Sequence, residues 1–228
     1  MKVGTDGVIL GCWAPVEDFR FQIANFRILD VGTGSGLIAR MLMQRCPDAE
    51  VEGIDIDEAA VEQARENLRA YPHPLPKGRG EIYLSRLQDW NPGYRYNLIV
   101  SNPPYFQNSL KNPDEGRKTA RHTDTLSYED LIKHSARLLA ENGQLALILP
   151  AEAETEIVQT AARYSLFCTR VTRVYSKVQK PVRRVLMTFR HWTMDNGQWT
   201  MDEDTLVLED EKGGRSAAYS ELTKDFYL

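Results

Sequence analysis

Two short runs in this sequence combine residue types and spacings that suit chemistry. The first is Asp30-Val31-Gly32-Thr33-Gly34-Ser35-Gly36. Glycine has no Cβ, so a backbone rich in it turns sharply and approaches a ligand closely. At the start of a helix such a turn also presents free N–H groups to a bound group. The second is Ser101-Asn102-Pro103-Pro104-Tyr105, directly after the apolar run Leu98-Ile99-Val100. Proline cannot extend a strand ladder. Two in succession fix φ and remove donors, which leaves a stiff frame of hydrogen-bond acceptors. A plain Asn-Pro turn is the alternative for this run. Between the two runs Asp55 ends an apolar stretch about 20 residues after the glycines, where nucleotide-binding folds place a carboxylate on ribose hydroxyls.

The glycine spacing separates two cofactor classes. Dinucleotide sites read G-x-G-x-x-G against a pyrophosphate. Here the pattern is G-x-G-x-G, Leu37 stands where the third glycine would be, and Asp30 precedes the turn. A carboxylate repels a pyrophosphate but suits a ligand that carries an ammonium group. S-adenosylmethionine, with its amino acid and sulfonium charges, fits that pattern. The expected cofactor contacts are therefore Asp30, Gly32, Gly34, Gly36 and Asp55.

These runs need elements to position them. Strands are expected at Arg27–Val31, Val51–Ile56, Glu81–Leu84, Tyr96–Val100, Gln144–Leu149, Arg170–Ser176 and Val185–Arg190. Helices are expected at Leu37–Arg45, Glu58–Ala70, Tyr128–Ala140 and Ala151–Tyr164, with Asp57 as the N-cap of the second. Strands alternating with helices imply βαβ units, hence an α/β fold. The expected sheet is doubly wound, mostly parallel and seven-stranded, with an antiparallel final strand pair. Ligands of such sheets bind at the carboxyl ends of strands near the switch point, and both runs lie at such ends. Tyr71–Gly80, rich in proline and glycine, reads as a loop. Asn108–Thr125 is a long polar stretch without periodicity, the kind of loop that is functional or mobile. Gly213-Gly214 marks a hairpin turn, and Ser220–Leu228 is amphipathic. One domain over residues 1–192 is expected, with 193–228 as a C-terminal extension packed on it.

Composition narrows the class. The 228 residues are 42% hydrophobic, ordinary for a globular chain. No apolar run nears the roughly 20 residues of a membrane span, and Met1–Trp13, an apolar patch broken by glycines, makes a poor signal peptide. Cys12, Cys46 and Cys168 are scattered and fit free thiols of a reducing cytoplasm. The four histidines have no metal spacing, so no metal is expected. Net charge is −4, yet no Asp or Glu occurs from Ile157 to Met194, where Arg163, Arg170, Arg173, Lys177, Lys180, Arg183, Arg184 and Arg190 stand. A local basic field inside an acidic protein suits a polyanion. A solvated face, or ion pairs with acids brought near by folding, is the alternative.

Taken together, Asp30, Gly32, Gly34, Gly36 and Asp55 resemble the class I S-adenosylmethionine-dependent methyltransferases. The N-P-P-Y tetrad Asn102–Tyr105 resembles enzymes that methylate a planar amide or amino nitrogen. Lys2-Val3-Gly4-Thr5-Asp6-Gly7, the spacing of the motifs, and the ending Ala218–Thr223 with Phe226-Tyr227-Leu228 are similar to the bacterial tRNA methyltransferases that modify adenine 37 of valine tRNA at its exocyclic amine. That family carries a further segment ahead of K-V-G-T-D-G, so the sequence is expected to lack it. The resemblance implies a Rossmann-like fold, S-adenosylmethionine as cofactor and tRNA as partner. One position departs. The acidic residue that meets the cofactor adenine after the third strand appears as Arg86, leaving Gln88 or the backbone at Leu87 as alternatives.

The resemblance also assigns roles. An exocyclic adenine amine is a poor nucleophile, because its lone pair is delocalised into the ring. Hydrogen bonds accepted by the Asn102 side-chain carbonyl and the Pro103 carbonyl favour a pyramidal nitrogen, with Pro104 stiffening the frame. Tyr105 stacks on a base that has left its own stack. Asn102 also borders the cofactor. Lys180, Arg183 and Arg184 are expected on phosphates, with Lys111, Arg117, Lys118 and Arg121 closing over the substrate. DNA adenine or a protein glutamine amide are the rival substrates. A cofactor-binding module without catalysis is a rival of another class, disfavoured by the intact Asn102–Tyr105.

Overall fold

The short turns between strand and helix set the layers of the molecule. The computed structural model describes residues 4–17, 25–70, 80–104, 126–192 and 200–226. The elements are α1 (Thr5–Trp13), β1 (Arg27–Val31), α2 (Leu37–Arg45), β2 (Glu50–Asp55), α3 (Glu58–Arg69), β3 (Glu81–Leu84) and β4 (Tyr96–Ser101). They continue with α4 (Tyr128–Leu138), β5 (Leu139–Pro150), a 3-10 turn (Ala151–Ala153), α5 (Glu154–Arg163), β6 (Leu166–Tyr175), β7 (Val182–His191), β8 (Asp202–Val207) and α6 (Ala217–Thr223). The strands form one sheet in the order β3-β2-β1-β4-β5-β7-β6-β8. From β3 to β5 the pairing is parallel, and β7 runs antiparallel to both β5 and β6.

Helices cover both faces, because strands buried on both sides need apolar partners on each. On one face Ile9, Leu10, Leu42, Val61 and Tyr219, from α1, α2, α3 and α6, pack on Ile28, Leu98 and Ile148. On the other, Leu131, Ile132, Ile157 and Ala161, from α4 and α5, pack on Leu29, Ile99 and Leu147. Asp57 caps α3 as expected, accepting from the Ala59 N–H at 3.0 Å.

Three features differ from the sequence expectation. Among the described residues the sheet has eight strands, not seven. The added β8 reads D-E-D-T-L-V, which hides a strand from any hydrophobic pattern. It pairs in parallel with β6 at the edge. There its acids meet arginines: Arg170 to Asp204 at 2.8 Å and Arg173 to Glu203 at 2.6 Å. Second, Thr5–Trp13 forms a helix, with residues from Gly7 to Trp13 all buried. Its glycines are packing contacts rather than breaks, since a Cβ on Gly11 would come within 2.6 Å of the Met41 sulfur. Third, β5 begins at Leu139, where a helix to Ala140 was expected. Gly143 permits this, because a Cβ there would lie 2.7 Å from the Tyr96 carbonyl of the neighbouring strand.

The expected turn at Gly213-Gly214 is present. Gly213 has φ +84°, and the Asp210 N–H reaches the Gly214 carbonyl at 2.8 Å. Beyond β8, α6 returns to α1 and α2, with Phe226 against Val8, Cys12 and Met41. The three cysteines are free and buried. No helix among the described residues is long and apolar enough to cross a membrane.

Candidate active site

The order in which strands are added to the sheet reverses between β1 and β4, and the two motifs meet at that switch point. Val31 is in register with Ser101, so Gly32 and Asn102 leave adjacent parallel strands side by side, about 5 Å apart. The Ser101 hydroxyl donates to the Val31 carbonyl at 2.8 Å and ties the two strand ends together. A cavity of about 370 Å³ opens there, within the usual size range for small-molecule sites. Gly32, Gly34, Asp55 and Ile56 form one wall, Ser85–Gln88 another, and Asn102, Pro103 and Pro104 the third.

The glycine turn is built from left-handed backbone. Gly32, Gly34 and Gly36 have φ of +69°, +57° and +76°, values that penalise any residue with a Cβ. The N–H groups of Gly32 and Thr33 donate to the Ile54 carbonyl at 2.9 and 3.0 Å. A Cβ on Gly32 would meet nothing within 4 Å, because the space beyond it is the cavity. Gly36 does other work: a Cβ there would lie 3.1 Å from that of Ala64, so this glycine brings α2 close to α3.

The two acids sit in different places. Asp30 is fully buried and lies behind the turn, not on the cavity wall. One of its oxygens accepts from the Thr33 hydroxyl at 2.7 Å and the Ala39 N–H at 3.1 Å. The other is buried and has no hydrogen-bond partner among the described residues. Burial pushes this carboxyl up to about 7, with Thr33 and Ala39 pulling against it. Asp55 does line the cavity. Its carboxylate accepts from the Gly34 N–H at 2.8 Å and the Asp57 N–H at 3.0 Å, so it also holds the turn in shape. Thr33 and Gly53 escaped the sequence reading. A Cβ on Gly53 would come within 2.9 Å of the Thr33 hydroxyl, so Gly53 makes room for the group that holds Asp30. A glycine inside the strand run V-E-G-I-D was the available signal.

The raised Asp30 carboxyl has a pH signature. It holds its proton to about pH 7 when folded, but to about 3.8 when unfolded. Across that window the unfolded state binds fewer protons, so stability falls as pH rises from about 4 to about 7. Asp30→Asn is expected to remove this slope. Thermal unfolding of the cofactor-free protein from pH 5 to 8 checks it: the variant gains on wild type as pH rises. Parallel curves refute it.

Asn102 is half-buried, Pro103 buried and Pro104 exposed. The Asn102 amide has no hydrogen-bond partner among the described residues. A free amide at the cavity edge is an acceptor in reserve. Tyr105, Lys111, Arg117, Lys118, Arg121 and the stretch 108–125 lie outside the described residues.

The basic segment is largely neutralised by folding. Arg163 pairs with Glu129 at 3.7 Å, and Arg173 with Glu154 at 2.7 Å as well as with Glu203. Lys177 pairs with Glu209 at 3.2 Å, and Arg184 with Asp6 of α1 at 2.9 Å. Arg184 is thus tied to the start of α1. Lys180 and Arg183 are exposed and carry no ion pair among the described residues. Pro150 is in register with Arg184, and Tyr175 with Val182. The β6–β7 connection therefore sits at the carboxyl edge of the parallel strands, the edge that also carries Asn102.

Fold and site together define a class I S-adenosylmethionine-dependent methyltransferase. The methyltransferase small domain matches residues 16–162. A tRNA1(Val) (adenine(37)-N6)-methyltransferase of Parabacteroides distasonis is 44% identical, and one of Bacteroides fragilis 41%, each over 100% of this chain and 91% of the relative. One of Edwardsiella ictaluri is 39% identical over 100% of this chain and 87% of the relative. Among solved structures, a predicted O-methyltransferase from Agrobacterium tumefaciens shares the fold with a TM-score of 0.69 at 18% identity, covering 96% of both chains. The chain belongs to the methyltransferase small domain family and, within it, to the tRNA1(Val) (adenine(37)-N6)-methyltransferases.

Proposed function

We propose that the protein transfers the methyl group of S-adenosylmethionine to N6 of adenine 37 in valine tRNA. The register of Val31 with Ser101 carries this reading, because it sets the glycine turn and the Asn-Pro-Pro frame on one cavity. Gly32, Gly34 and Asp55 hold the cofactor there. Asp30 and Gly36 shape the turn from behind. When bound, the cofactor supplies an electrophilic methyl group on its sulfonium. The Asn102 and Pro103 carbonyls accept from the flipped amine and keep its lone pair available. No strong base is needed, since the methylated nitrogen becomes acidic and loses its proton readily. Tyr105 stacks on the base. The names of the relatives support the choice of adenine 37 in tRNA. Residues 202–226 add β8 and α6 to the same sheet and core, which supports the reading of the C-terminal extension as part of one domain.

Nucleoside mass spectrometry tests the assignment. Unmodified valine tRNA incubated with protein and cofactor is expected to gain N6-methyladenosine, and a transcript with guanine at position 37 is expected to gain none. Methylation of DNA or of a glutamine amide instead would overturn it. For the RNA surface, Lys180→Ala with Arg183→Ala is expected to lower the slope of log affinity against log salt by about 0.7–0.9 for each phosphate no longer neutralised. Parallel salt titrations for wild type and double variant would remove both residues from the interface.

A further inference from the structure

The hairpin of β6 and β7 overhangs the edge that carries Asn102. Ser101, Leu147, Met187 and Val171 stand level across the sheet. From that line β6 runs on to Tyr175, about 13 Å further at 3.3 Å per residue, and residues 176–181 lie beyond it. Sideways, β6 is three strand spacings from β4, or about 14 Å. A base inserted at Asn102 leaves its backbone and its neighbours outside the edge, on the side where this tip stands.

The tip is fixed in place. The Lys180 N–H donates to the Lys177 carbonyl at 3.0 Å and closes the turn. The segment after β8 holds it from one side. The Leu208 N–H donates to the Tyr175 carbonyl at 2.9 Å, the Glu209 N–H donates to the Ser176 carbonyl at 3.0 Å, and the Glu209 carboxylate pairs with Lys177. Val178 stands on this turn with 71% of its surface exposed, the highest value of any large hydrophobic among the described residues. A single exposed valine needs no account by itself. This one is stiff at χ1 because it is β-branched, and its turn has little freedom to lose on contact.

Charge selects the partner and its side of approach. Glu209, Asp210 and Glu211 border the tip on the β8 side. Lys180 and Arg183, which carry no ion pair among the described residues, lie where the chain enters β7, the strand nearer β4. A polyanion is repelled from the outer side and drawn to the inner one, next to Asn102.

We infer that Val178 is a wedge for the RNA: it enters the base stack beside the target adenine and fills the place that the flipped base leaves. Proteins that open a nucleic-acid stack insert apolar side chains in this way, and the contact offsets part of the unstacking cost of extrusion. This role rests on the proposed methylation of an adenine in tRNA.

A valine-tRNA anticodon arm with 2-aminopurine at position 37 tests it, because that base fluoresces more strongly when unstacked. With S-adenosylhomocysteine present, wild type is expected to raise the fluorescence and Val178→Ser to raise it less. On the adenine-37 arm at saturating RNA, Val178→Ser is expected to slow methyl transfer by about 10-fold, within the cost of unstacking one base. Val178→Leu, still apolar, should keep both quantities near wild type. S-adenosylhomocysteine affinity and unfolding temperature should hold in both variants, since Val178 is exposed. An arm with an abasic nucleotide beside adenine 37 has less stacking to break, so on it the rate of Val178→Ser should return most of the way to wild type. A rate and a fluorescence rise equal to wild type in Val178→Ser would make Val178 a solvated side chain. A deficit of the same size on the abasic arm would make it a docking contact and not a wedge. If wild type itself fails to methylate the adenine-37 arm, the proposed function falls first and the wedge with it.

Discussion

Replacing Asn102 by alanine is expected to slow methyl transfer by about 100-fold or more, the scale for losing one preorganised hydrogen-bonding group at a reacting centre. The substitution removes one of the two acceptors proposed for the adenine amine. It should do little else. The Asn102 amide has no internal partner among the described residues, so no buried group is left unsatisfied and unfolding temperature should hold. Cofactor affinity should change little too, because the turn and Asp55 lie on other strands. Single-turnover kinetics beside calorimetry separate the two quantities. A variant that transfers methyl at the wild-type rate would show that the Asn-Pro-Pro frame is only a turn.

Asp55→Ala is expected to weaken S-adenosylmethionine binding by about 1.5–3 kcal/mol, the range for hydrogen bonds to a charged group, or about 10- to 100-fold. The loss has two origins. One is the missing acceptor for the ribose. The other is the Gly34 N–H, which Asp55 holds at 2.8 Å and which would lose its anchor. Asp55→Asn separates them, since it keeps an acceptor for one donor but not for all. It should fall between wild type and alanine. Unchanged affinity in the alanine variant would remove Asp55 from the site.

How much of this was legible depends on whether the signal was local. The parallel strands and their helices followed from apolar runs and caps, and α3 began at Asp57 as its N-cap predicted. Gly32 and Gly34 were legible as a tight turn because a left-handed turn after a strand demands glycine, whatever the rest of the chain does, and with Asp55 they line one wall of the cavity. Thr33 and Gly53 were not. Their roles are set by a contact across the β1–β2 pair, and nothing near either residue announces its partner.

The edge of the sheet shows the same division. The absence of acids between Ile157 and Met194 is a property of sequence alone, and it suggested a polyanion surface. Folding brings Asp6, Glu129, Glu154, Glu203, Asp204 and Glu209 onto those cations from several other parts of the chain. Charge along a chain adds up without reference to space, whereas a field at a surface depends on distance, and opposite charges a few ångströms apart largely cancel beyond a Debye length. Sequence by itself determined the left-handed glycine turn, the Asn-Pro-Pro run and the alternation that places both at strand ends. Only the tertiary structure decided that Val31 and Ser101 are neighbours, that Asp30 lies buried behind the turn, and that Arg184 pairs with Asp6 of α1. The first and last depend on pairings between segments whose separation along the chain carries no information about their separation in space, whereas Asp30 is held by Thr33 and Ala39 nearby and buried by the packing of the sheet.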